Sequence, residues 1–122
     1  MKVGLIMKAL TRSEFSQRRI NERCNLAAKT AFNELLNSCG YDLRKAKFKK
    51  LRSCNAKVYE TKNWYILQSY ETPVAYIWKH GFEIYDNLRI EYGYTATSAQ
   101  HIAKFIHDYT PDPLDSPRFT AR

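Results

Sequence analysis

Along the first third of the chain, apolar side chains recur three and four residues apart: Ile20, Cys24, Ala27, Ala31 and Leu35, widened by Ala28, Phe32 and Leu36. That is the stripe of an amphipathic helix. Thr11-Arg12-Ser13-Glu14 ahead of it has capping-box form, in which hydroxyl and carboxylate each serve the other's backbone N–H. Cys39-Gly40 supplies a C-terminal stop. The pattern predicts a helix over residues 11–38. A helix this long in so small a chain is expected to pack against a second copy of itself.

From Ala56 the period shortens to that of strands. Val58-Tyr59-Glu60-Thr61 and Trp64–Tyr70 flank Lys62-Asn63, a short hairpin turn. Glu71-Thr72-Pro73 interrupts the run and Val74–Trp78 resumes it; Lys79-His80-Gly81 then turns into Phe82-Glu83-Ile84-Tyr85. A final strand over Leu88–Tyr94 is expected to feed a helix at 98–109. The order predicts a single α+β domain over 1–122, an antiparallel β-meander at 56–94 packed with a long N-terminal helix and a C-terminal helix on one of its faces. Residues 41–55 read as a basic connector, and 110–122, with Pro111, Pro113 and Pro117, as a flexible tail.

Composition narrows the partners. With 122 residues, 44% of them hydrophobic and 14% aromatic, the chain is long and apolar enough to bury a core. Its net charge of +8 points to an anion: nucleic acid, a nucleotide or an acidic protein, with plain solubility as the competing explanation. Arg44, Lys45, Lys47, Lys49, Lys50 and Arg52 concentrate that charge, and we read them first as a solvated connector and second as a nucleic-acid patch anchored by Phe48 and Leu51. Cys24, Cys39 and Cys54 form no C-x-x-C pair, which argues against zinc and for a reduced, cytoplasmic protein. Val3, Leu5, Ile6 and Met7 make an apolar patch too short for a membrane span and without the cleavage pattern of a signal peptide, so no membrane partner is expected.

No Walker loop, G-x-G-x-x-G or H-E-x-x-H occurs, and His101 and His107 are spaced against sharing a metal on one helix. The expectation is therefore a protein that binds rather than catalyses, with no cofactor, metal or catalytic residue. Thr95, Thr97 and Ser98 can each cap the last helix, whose N-terminal N–H groups suit a phosphate. Ten aromatics lie between 58 and 94; alternation sends about half of them to the core, leaving the rest as a stacking platform for a base. Phe82 beside Gly81, and Tyr94 beside the helix start, are the two expected to face a ligand. Arg89 is placed to grip a phosphate, and His101 shares a helix face with Lys104. The candidate ligand set is thus Phe82, Arg89, Tyr94, Thr95, Thr97, Ser98 and His101. Arg19 and Arg23, in line with Arg12 on the long helix, form a second candidate anion site.

Leu67-Gln68-Ser69-Tyr70-Glu71-Thr72-Pro73-Val74-Ala75 and Tyr94-Thr95-Ala96-Thr97-Ser98-Ala99-Gln100-His101 resemble paired motifs of small phage proteins. With the lead-in Val58-Tyr59-Glu60-Thr61 and Trp64-Tyr65, they resemble the first-described Thoeris anti-defence family. Thr95 stands where serine is commoner in that pattern, and the N-terminal half carries no matching motif. The resemblance implies a phage-encoded sponge in the host cytoplasm that sequesters a cyclic ADP-ribose isomer, uncleaved, in pockets at a homodimer interface. Higher oligomers that also hold cyclic oligonucleotides occur among such proteins. Two rivals remain: a DNA- or RNA-binding phage protein using the basic run and the arginine face, and a protein that covers an acidic surface of a host enzyme.

Overall fold

A computed structural model describes residues 12–51, 55–91, 95–111 and 116–120, the side chains of 12–15 and 91 excepted. The capping box at Thr11–Glu14, Arg52, Cys54, Tyr92 and Tyr94 fall wholly or in their side chains outside that set. The first helix, α1, runs Arg12–Ser38. It stops where the sequence signals: Gly40 takes a left-handed φ of 67° and Tyr41 N–H donates to the Leu36 carbonyl at 2.7 Å. That is the six-to-one bond of a Schellman-type end.

A 3₁₀ turn, Leu43–Lys45, capped by Asp42, leads into the sheet. Its strands are β1 (Phe48–Lys50), β2 (Ala56–Glu60), β3 (Trp64–Ser69), β4 (Thr72–Trp78), β5 (Glu83–Asp86) and β6 (Arg118–Thr120), in spatial order β1-β2-β3-β4-β5-β6. All neighbours are antiparallel except β5 and β6, which run parallel. A short helix α2 (Leu88–Glu91) and the C-terminal helix α3 (Ala96–Tyr109) lie between those last two strands. The chain is thus an α+β fold: a long N-terminal helix, a mostly antiparallel six-stranded sheet and a C-terminal helix. No described helix is long and apolar enough to cross a membrane.

The helices cover opposite faces of the sheet, not one face as the order of elements suggests. Val58, Leu67, Ala75, Ile77 and Ile84 meet Ile102, Phe105 and Ile106 of α3. On the other side Tyr59, Trp64, Ile66 and Tyr76 meet Ala27, Ala28, Ala31 and Leu35 of α1. Alternation along β2, β3 and β4 explains the split, since neighbours such as Val58 and Tyr59, or Leu67 and Ile66, point to different faces. It also explains why these strands read as nearly continuous apolar runs: each face is covered by a helix. The stripe of α1 therefore spends itself on the sheet of its own chain.

Four further expectations change. Leu88–Glu91 is helical where a last strand was expected, because Asp86 Oδ1 accepts from Leu88 N–H at 3.2 Å and this local bond ends β5. Pro73 does not break β4, since it sits opposite Gln68 at a register shift, where a missing N–H is tolerated. The connector at 41–55 contributes β1, and the expected tail contributes β6. Arg118 Nη2 donates to Asp86 Oδ2 at 2.7 Å, Phe119 stacks on Tyr85 at 5.1 Å, and the Cys24 thiol and Gln17 side chain reach the Phe119 and Thr120 carbonyls. Prolines around this segment favour extended backbone, which a sheet edge accepts as readily as solvent does.

Candidate functional site

The start of α3 carries the chemistry expected of it, turned inward. Thr95 caps the helix, its hydroxyl accepting from Ser98 N–H at 3.1 Å. Ser98 is fully buried, and its hydroxyl lies 2.8 Å from Ser69 Oγ at the end of β3. Ser69 Oγ in turn lies 2.9 Å from His101 Nδ1, and His101 is only 6% exposed. Ser69, Ser98 and His101 thus form a buried hydrogen-bonded cluster that pins α3 to the sheet. Thr97 stays exposed, and Arg89 is exposed on α2 at the same end of the sheet.

Phe82 lies elsewhere. It occupies the turn between β4 and β5 with a left-handed φ of 56°, and its ring packs against the α3-side core. That turn is at the opposite end of the sheet from Ser69, about 17 Å away along a strand at ~3.4 Å per residue. The structure therefore gathers Thr95, Ser98 and His101 but does not bring Phe82 to them; Tyr94 lies outside the described residues. Lys104 pairs with Asp108 at 3.1 Å, and hydrogen bonds from His107 and Lys104 hold the Asp108 carboxyl below its usual pKa.

An open cleft forms on the other side of the sheet, beside α1. It has a volume of about 370 Å³, and its walls include Arg23, Leu26 and Thr30 of α1 facing Trp64, Trp78, Glu83 and Tyr85. The register explains the wall: Trp64 pairs with Trp78 across the β3–β4 hairpin, their rings edge-on at 5.0 Å, and Tyr85 sits 5.9 Å from Trp64. On the α1 side the lining also includes the small, buried side chain of Ala27. The Arg23 guanidinium rests 4.8 Å over the Phe119 ring, with Arg19 one turn earlier on the helix and also exposed. Tyr85 donates to Glu83 at 3.3 Å; burial and the Glu83 charge both raise the phenol's pKa, so it remains a donor. Trp64 carries a buried indole N–H with no hydrogen-bond partner among the described residues.

Glu34 secures this side. Its carboxylate accepts Asn63 N–H at 2.8 Å and Asn63 Nδ2 at 3.0 Å, clamping the β2–β3 turn onto α1. Burial works to raise its pKa, but hydrogen bonds from Thr61 and Asn63 and the Lys62 charge bring it below the ordinary value. Cys24, beneath the same helix, has its thiol pushed up to about 11 by burial and by Asp86, which leaves it a poor nucleophile. Among the described residues, no group of three or more histidine, cysteine and carboxylate side chains is placed to hold a metal ion.

Of the sequence candidates, Arg23 lines this cleft and Arg19 flanks it, while Trp64, Trp78, Tyr85 and Glu83 belong to it without having been singled out. A usable signal was present: Tyr76 and Trp78 share a face by alternation, and Trp64 falls opposite Trp78 once the chain is turned back at Tyr70-Glu71. The chain belongs to a family of unknown function, DUF8033, whose match covers residues 41–118. The sheet wall of the cleft lies within that match and the α1 wall before it. No curated protein and no solved structure matches the chain.

Proposed function

We propose that this chain is a binding protein for a nucleotide-type ligand, held non-covalently and uncleaved in the cleft between α1 and the aromatic face of the sheet. The observation that carries the reading is the cleft: an arginine beside a wall of two tryptophans and a tyrosine, enclosing a volume in the range of small-molecule sites. Trp78 and Tyr85 offer aromatic surface to a base, and Arg23, with Arg19 a turn away, offers charge to a phosphate. The net charge of +8 draws an anion toward the molecule. Resemblance to the Thoeris anti-defence family names the first ligand to try, a cyclic ADP-ribose isomer, for which the protein acts as a phage sponge in the host cytoplasm. Leu26, 66% exposed at the cleft, gives a second copy of the chain an apolar contact, and a homodimer belongs to the same proposal.

The test is calorimetric titration with the cyclic ADP-ribose isomers, with linear ADP-ribose and a cyclic dinucleotide alongside. Saturable binding, abolished in Arg23→Ala and Trp78→Ala and retained in Arg89→Ala and Thr97→Ala, is the expected result, with ligand recovered chemically unchanged. Loss of binding in the second pair but not the first moves the site to the start of α3. No heat with any of these ligands removes the nucleotide reading.

A further inference from the structure

The β1 edge of the sheet poses a separate electrostatic problem. Phe48, Lys49 and Lys50 are all exposed, and the register sets Lys50 directly opposite Lys57 on the same face. Like charges paired across strands are destabilising. Among the described residues, no carboxylate lies within ion-pair distance of Lys47, Lys49, Lys50 or Lys57. Two acids close by in the chain or the register are engaged by other groups: Asp42 by Arg44 at 3.1 Å, and Glu60 by Lys79 at 2.5 Å. The Lys57 ammonium stands 4.8 Å over the Phe48 ring, which is itself 43% exposed. Lys47, Phe48 and Lys49 border a hollow of about 220 Å³ whose lining also includes Val58, Tyr109 and Glu60, the last with its carboxylate held by Lys79.

We infer that this edge is a second binding surface, distinct from the cleft, and that its ligand is single-stranded nucleic acid. Four ammonium groups with no ion-paired carboxylate among the described residues ask for a polyanion, and a half-exposed phenyl ring at the border of a base-sized hollow gives unstacked bases a place to lie. Lys49 on β1 and Lys47 just ahead of it are two residues apart, about 6.7 Å at strand spacing, which suits successive phosphates of an extended strand. A second copy of this chain would set like charge against like charge. An acidic peptide adding a strand to β1 would answer the charge but leave Phe48 and the hollow unused, because those lie on the faces of the sheet and not along its edge. Paired bases in a duplex are not free to reach either feature.

The decisive experiment is fluorescence anisotropy of the full chain with labelled twelve-residue oligothymidylate and oligouridylate at 50 mM salt, then across a salt series. Saturable binding is expected, with log K falling against log salt at about −0.7 per phosphate neutralised. The double variant Lys47→Ala/Lys49→Ala lowers that slope by about 1.4. Phe48→Ala weakens binding about 5- to 150-fold while leaving the slope unchanged, the range expected for one stacked base. Thermal melts of both variants confirm that they fold, and comparison of the two oligonucleotides reports the sugar preference. Arg23→Ala leaves oligonucleotide binding intact, which separates this surface from the cleft. Absence of binding at 50 mM salt, affinity indifferent to Phe48→Ala, or equal displacement by poly-glutamate each overturns the inference, the last in favour of an acidic protein.

Discussion

On the α3 face of the sheet, a bulky helix surface of Ile102, Phe105 and Ile106 meets a lining of modest size, Val58, Ala75, Ile77 and Ile84, and the polar groups near the helix start satisfy one another. On the α1 face the sizes are reversed. A helix of alanines meets Tyr59, Trp64 and Tyr76, and at the border of that cluster Trp78 and Tyr85 are only partly covered and line the open cleft. Small residues let the helix approach closely, yet they cannot fill what large rings hold apart. The contrast separates the two sets of candidates: the motif-like polar residues Ser98 and His101 are buried against Ser69, and the face that looked like plain core carries the cleft.

The largest test of that contrast is Phe105→Ala on the α3 face. The side chain is fully buried, and its removal should cost about 3–5 kcal/mol, read as a shift of the denaturant midpoint. Ser69→Ala should cost about 1–3 kcal/mol, because Ser98 and His101 lose a buried partner in a site closed to water. A wild-type-like midpoint for that variant would reopen the start of α3 as an accessible site.

On the α1 side, Glu34→Gln should cost about 1 kcal/mol, and its signature is in the pH dependence. The folded-state pKa of Glu34 is depressed, so its contribution is present above the ordinary value of 4.5 and is lost as pH falls through the lower folded value. Wild type should lose stability across that acid window relative to the variant, and parallel curves would show that the Asn63 clamp carries no net energy. The smallest effect on stability belongs to Thr30→Leu, which extends an exposed side chain into the cleft. It should shift the midpoint by no more than about 0.5 kcal/mol while blocking ligand uptake in the titration. A large loss of stability there would mean that the cleft is packed core.

Local patterning explains how much of the molecule could be read in advance. Periodicity and capping chemistry depend on residues within a few positions of each other, so α1, the Lys62-Asn63 hairpin and α3 with its Thr95 cap follow from neighbouring side chains alone. The same locality misleads at Leu88–Glu91, where an apolar, strand-like run is diverted by one side-chain bond from Asp86 to the Leu88 N–H.

Function was less legible, because burial is a property of pairs of elements. Nothing near Ser98 or His101 in the chain announces that Ser69, about thirty residues earlier, will occupy their polar groups, and hydroxyls that would suit a ligand end in the core. Arg118 finds Asp86 across a similar gap and turns a proline-bearing tail into a strand. The amino-acid order determined the elements, the charge and the supply of aromatic rings. Only the stacking of two unequal helices on one sheet decided which rings enclose space, since a cavity exists where distant side chains fail to meet.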